Sequence, residues 1–166
     1  MDFDALYQRC ARDVFRFALF LSGRPEEADD ITAETFVRAW ASREPIRVGT
    51  VKAYLLMIAR NLHRERFRKN ARHVFMEDVT VPDHILIDPA RGPEEDITTR
   101  RELARVVRAM QQLPEADRAA LLMRAQDEMP YEEIAAALGI SVGAAKVKVH
   151  RARLKLSEIR NAKEGT

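Results

Sequence analysis

Residues 131–156, YEEIAAALGISVGAAKVKVHRARLKL, leave little freedom in how they fold. Ile134, Leu138, Ile140, Val142, Ala145, Val149, Ala152 and Leu156 recur at three- and four-residue spacings, the repeat of an apolar helix face. Gly139 falls where a left-handed turn is needed, a conformation that residues with a Cβ resist. Small Ala135 lets the first helix approach the second, and Lys146, Lys148, His150, Arg151, Arg153 and Lys155 load that second helix with base. Two short helices held at a wide angle by a tight turn form a helix-turn-helix, whose second helix fits a DNA major groove. A basic amphipathic helix in an ordinary bundle has the same periodicity. It does not need the A-x-x-x-G turn in register ahead of it.

The rest of the chain is also helical in pattern. Phe3, Leu6, Cys10, Val14, Phe17 and Leu21 repeat at helical spacing, and Ser22-Gly23-Arg24-Pro25 ends that helix. Pro25 opens a second helix, with Glu26, Glu27, Asp29 and Asp30 early in it, where acids complement the helix dipole. This helix runs through Ile31, Phe36 and Trp40 to a break at Glu44-Pro45. After the loop 44–50, a third helix places Val51, Tyr54, Leu55, Ile58 and Leu62 on its buried face and ends in base. Residues 74–96 mix Pro82, Pro89, Gly92 and Pro93 with acids and keep little periodicity, which reads as a flexible linker. A second helical unit begins near Ile97, with Leu103, Val107 and Met110 on one face. Pro114 breaks it, and a helix over 115–126 precedes the turn-helix unit. Strand-like alternation and internal repeats are absent. The expected fold class is all-α: two small helical domains, 1–73 and 97–166, joined by a flexible acidic linker, 74–96, with the helix-turn-helix in the C-terminal one.

Charge distribution says more than the net charge of +2. Arg60, Arg64, Arg66, Arg68, Lys69 and Arg72 crowd one segment against Glu65 alone, while 75–97 is acidic and the chain turns basic again from Lys146. Two basic patches separated by an acidic stretch predict two surfaces for nucleic acid on one chain. With Cys10 the sole cysteine there is no intrachain disulfide, and its place on the apolar face with Phe3, Leu6, Val14 and Phe17 makes it a small core hydrophobe. The N-terminus lacks a signal-peptide pattern, and no apolar run approaches the length of a bilayer span, so a cytoplasmic chain without membrane insertion is expected. His63, His73, His84 and His150 lie in different elements without metal-ligand spacing to Cys10, and no nucleotide-binding glycine loop or nucleophile motif occurs. Neither enzymatic activity nor a cofactor is expected.

Two motif blocks resemble one family. EADDITAETFVRAW (27–40) and KAYLLMIARNLHRERFR (52–68) resemble the second conserved region of bacterial sigma factors, and LPEADRAALLMRAQDEMPYEEIAAALGISVGAAKVKVHRARLKL (113–156) resembles their fourth. A chain too short for the other regions resembles the extracytoplasmic-function group of the sigma-70 family. The resemblance implies that Asp30, Glu34, Phe36, Val37 and Trp40 dock on the clamp helices of the RNA polymerase β′ subunit, with the β flap as a further contact. It implies that Arg60, Asn61, Arg64, Arg68 and Lys69 meet the melted −10 element, where cations hold the backbone and an amide addresses an extruded base. It places Ser141, Lys146, Val147, His150 and Arg151, together with Arg124 from the preceding helix, over the −35 duplex. Control by an anti-sigma factor is a further implication.

Departures from the family pattern are specific. Ala33 replaces a common glutamine, and Tyr54 a common tryptophan, which assigns Tyr54 to the core and leaves few exposed aromatics to stack on bases. Ala144-Ala145 replaces Thr-Val and Val147 replaces a serine, changes that favour small apolar contact such as a thymine methyl. Pro130 stands at a helix start where a serine or threonine usually caps, a loss of about 1 kcal/mol, and Glu128 stands where glycine is usual. Two rival readings remain at this stage: a stand-alone helix-turn-helix regulator, which leaves 27–68 as mere packing, and a sigma-like decoy that binds a regulatory protein.

Overall fold

The computed structural model describes residues 2–42, 50–69 and 93–165, with side chains omitted for 93–96. Seven helices make up these residues: α1 (Phe3–Ser22), α2 (Pro25–Ala41), α3 (Val51–Lys69), α4 (Pro93–Met110), α5 (Glu115–Ala125), α6 (Tyr131–Leu138) and α7 (Val142–Glu164). No strand occurs among them, as the absence of alternation predicts.

Local chemistry sets the boundaries. Gly23 closes α1 in the left-handed region at φ 75°, its amide donating to the Leu19 carbonyl, and Pro25 starts α2 two residues later. Thr50 caps α3 by accepting from the Ala53 amide at 3.1 Å. Gly139 ends α6 at φ 68°, and the Ile140 amide reaches back to the Ala135 carbonyl at 3.0 Å. A Cβ on Gly139 would meet nothing within 4 Å, so the turn alone demands glycine there. Glu128 is the one non-glycine residue with positive φ among those described, at 52°, where the family pattern has glycine. Pro130 sits at the N-cap of α6 rather than at its first helical position and supplies no side-chain cap, so that capping bond is missing. Helix α4 begins at Pro93, four residues ahead of Ile97. Residues 74–92 of the expected linker, the Glu44-Pro45 break, Arg72, His73 and His84 lie outside the described residues.

Burial follows the apolar stripes. Val14, Phe17, Ala18 and Leu21 of α1 pack with Ala28, Ile31 and Phe36 of α2 and Leu55, Leu56, Ala59 and Leu62 of α3. Thr32 and Thr35, buried in the same layer, satisfy their hydroxyls on the Ala28 and Ile31 carbonyls at 2.7 and 2.6 Å. Cys10 is buried beside them, and that burial raises its thiol pKa. Around α5, α6 and α7, alanines 119, 120, 135, 137, 145 and 152 are buried, and their small side chains let the helices approach closely.

The two units are packed on each other, with α1 against α4 and α5 and α3 against α6. Their apolar cores join in one cluster that includes Val14 and Leu21 along with Val107, Met110 and Leu122. Three polar contacts stitch the seam. Gln111 donates through Nε2 to the Phe20 carbonyl at 2.8 Å, and its Oε1 accepts from Arg118 Nη1 at 3.2 Å. Lys52 Nζ lies 3.1 Å from Asp13 and 3.7 Å from Asp127. Arg60 grips Glu115 with two bonds of 2.9 Å each.

Candidate nucleic-acid interface

Buried Ala145, Val149 and Ala152 fix the rotation of α7 about its axis and leave Lys146, Val147, His150 and Arg151 on its outward side. Val147, 53% exposed, is free to meet a thymine methyl; Ala145 is fully buried and is not. Ser141 is the N-cap of α7, its hydroxyl accepting from the Ala144 amide at 3.1 Å, which caps the start of the helix. Both flanks of the outward face are clamped. On one, the Tyr131 ring of α6 carries Arg124 Cζ at 4.8 Å and Lys146 Nζ at 5.8 Å, so cations from α5 and α7 meet one aromatic ring. Arg124 also donates to the Met129 carbonyl at 3.1 Å. On the other flank, Arg151 Nη2 donates to Asp117 Oδ1 at 2.9 Å.

A second basic face lies on α3. Asn61, Arg64 and Arg68 recur at three- and four-residue spacing and are exposed, with exposed Lys69 at the helix end. Phe67, 59% exposed, follows Arg64 by three residues and precedes Arg68 directly. It is an aromatic that the sequence reading passed over. The sequence carries a signal for it, because Phe67 is an apolar residue five positions past Leu62, off the Leu55–Leu62 stripe and among cations. Arg60 is different: only 6% exposed, it belongs to the seam with Glu115 and is not on the open face.

The outer side of α2 presents Val37 and Trp40, 61% and 64% exposed, beside exposed Asp30 and Glu34. Trp40 meets Phe3 edge-on at 5.2 Å, and Tyr7 meets Phe36 at 4.9 Å, so α1 buttresses the patch. Phe36, expected on the docking surface, is 1% exposed and is a core residue that supports the patch from beneath. The acids are tied to α3. Arg38 bridges Glu34 at 3.3 Å and Glu65 at 3.3 Å, and Arg66 lies 3.5 Å from Asp30. The hydrogen bonds between Arg38 and Glu65 hold the Glu65 carboxyl below, and the Arg38 guanidinium above, its ordinary pKa. In the seam, burial outweighs Lys52 and pushes Asp127 up to about 6.

The chain matches sigma-70 region 2 over residues 6–73 and sigma-70 region 4 over 103–156. It is 35% identical over 144 residues to the ECF RNA polymerase sigma factor EcfG of Rhodopseudomonas palustris, covering 86% of this chain and 76% of that one. To the ECF sigma factor SigE of Mycolicibacterium smegmatis it is 33% identical over 157 residues, 93% of this chain but only 60% of that protein. Its fold superposes on the sigma factor RpoE of Bartonella quintana, solved with the anti-sigma factor NepR, with a TM-score of 0.78, 26% identity, and coverage of 96% and 97%. The chain is an extracytoplasmic-function sigma factor. Region 2 accounts for α1 to α3 and region 4 for most of α4 to α7, so both basic faces and the α2 patch fall inside matched segments. The end of α7 runs past the region 4 match, from 157 to Glu164.

Proposed function

We propose that this sigma factor docks on core RNA polymerase through Asp30, Glu34, Val37 and Trp40, and directs initiation by reading two promoter elements. The α3 face, Asn61, Arg64, Arg68 and Lys69, holds the melted −10 strand. The α7 face, Ser141, Lys146, Val147, His150 and Arg151, with Arg124, lies over the −35 duplex. Residues 1–73 and 97–166 act as the two reading units, in the compartment where polymerase works. The chemistry of RNA synthesis belongs to the polymerase, and the chain supplies the choice of site.

One observation carries this reading above a stand-alone DNA-binding protein: a large exposed aromatic, Trp40, set beside Val37 and two acids on a helix that is not one of the basic faces. Such a patch has the composition of a protein-binding hot spot. The rigid α1 aromatics behind it reduce the ordering cost of docking. Arg60 adds a regulatory aspect. With its guanidinium held by Glu115, it reaches DNA only if the two units separate, so the packed arrangement is a resting state that core polymerase must open. A protein that favours the packed form would act as an anti-sigma factor, as NepR is named for the RpoE relative. The test is equilibrium binding to core polymerase. Trp40→Ala is expected to weaken it about tenfold or more with folding unchanged. Undiminished binding would remove α2 from the interface.

A further inference from the structure

Asp117 is an acid placed against a helix whose proposed ligand is a polyanion. Its side chain is 5% exposed, in the first turn of α5, where the helix dipole favours a carboxylate. Oδ1 takes a bond from Arg151 Nη2 at 2.9 Å, with Lys148 Nζ at 3.8 Å. Arg151 nevertheless keeps its side chain 56% exposed, so the guanidinium is anchored to Asp117 without being buried. Leu113, Pro114 and Leu154 line the same cleft, and these apolar walls strengthen a charge-assisted bond beside them.

We propose that Asp117 is a positioning residue that holds Arg151 in the pose that reads one base pair of the upstream duplex. The inference rests on the assignment of α7 as the duplex-reading helix, and it adds a specificity determinant outside that helix. An arginine held before DNA arrives loses less rotamer freedom on binding, and a fixed fork fits one arrangement of acceptors better than the alternatives. On the opposite flank the cation of α7 itself, Lys146, lies over the Tyr131 ring at 5.8 Å, and no carboxylate among the described residues is paired with it there.

Two effects of Asp117 have opposite signs, which makes the proposal testable. As a bare negative charge it repels phosphates, so neutralising it would strengthen binding to every duplex alike. As a positioning group it sharpens preference at one base pair. The experiment uses holoenzyme assembled from core polymerase and the full chain, selecting from duplexes randomised over the upstream element. The native chain is compared with Asp117→Asn, Arg151→Ala and the double variant.

Asp117→Asn is expected to flatten the preference at the same single base pair that Arg151→Ala flattens, by about tenfold. Other positions should keep their preferences, and affinity for random duplex should be equal or higher. The double variant should match Arg151→Ala alone. Base preferences identical to the native chain would overturn the proposal. So would flattening at every position, since that marks a general loss of region 4 structure. If the native holoenzyme selects no upstream base at all, the assignment of α7 fails, and the proposal with it.

Discussion

Glu115→Gln tests whether the packed units are a resting state. Arg60 is 8% exposed in its side chain and Glu115 27%, and the two share bonds of 2.9 Å at both Nε and Nη2. Glutamine keeps one carbonyl acceptor, so one bond survives while the second bond and the ion pair are lost. A hydrogen bond to a charged group contributes about 1.5–3 kcal/mol, and removing a partner leaves the Arg60 charge poorly compensated. Solvent at Glu115 moderates this, giving a shift of about 2 kcal/mol toward separated units, or roughly 30-fold in their population ratio. Single-molecule energy transfer between dyes on cysteines introduced at exposed Ser42 and Asn161, with Cys10→Ala, reads that ratio directly. The low-transfer population should rise by roughly that factor, and binding of −10 fork DNA should improve in parallel. An unchanged distribution with intact helicity would mean that the rest of the seam holds without the Arg60–Glu115 pair, and would refute its role as the latch.

The remaining predictions concern the seam, a strained turn and the −10 face. Because burial raises Asp127 to about 6 from 3.8, the packed chain holds its proton more tightly than the separated one. This contribution therefore favours the packed form at low pH and is lost as pH rises through about 6. Asp127→Asn should gain melting temperature over the native chain as pH rises across that window, then keep a constant lead; a lead independent of pH would refute the assignment. Glu128→Gly, at φ 52°, should raise stability by roughly 0.5–1 kcal/mol in urea unfolding, since relief of left-handed strain exceeds the added chain entropy. A loss of stability would show that the Glu128 side chain contributes more than its backbone costs. Phe67→Ala should slow open-complex formation on linear promoter DNA, a loss of about 1–3 kcal/mol if the ring stacks on a base. An unchanged rate would leave Phe67 without a role in melting.

How far the sequence determined this picture depended on distance along the chain. Gly23 with Pro25, and Gly139 with Ala135, mark helix ends through backbone rules that act over a few residues, and those ends stand where they were expected. The apolar stripes of α1 and α3 were legible for the same reason. What was not legible involves partners far apart. Arg60 reads as one more cation in a basic run, and only folding brings Glu115, 55 residues on, against it. Asp117 and Arg151, 34 residues apart, are likewise joined only by the packing of α5 on α7. Phe36 and Trp40 are one helical turn apart and look alike in sequence. The rotation of α2 against α1 and α3 sends the first into the core and the second into solvent. The Ser141 hydroxyl caps α7 through the Ala144 amide, a role that the Ser-to-Ala144 spacing allows and that leaves its O–H free to donate.

Whether this chain selects promoters for RNA polymerase is decided by transcription from genomic DNA of the source organism, using core polymerase with and without the chain, with 5′ ends mapped. Discrete start sites that require the chain, share two upstream sequence elements and disappear with Trp40→Ala are the predicted result. Initiation no different from that of core polymerase alone would contradict it.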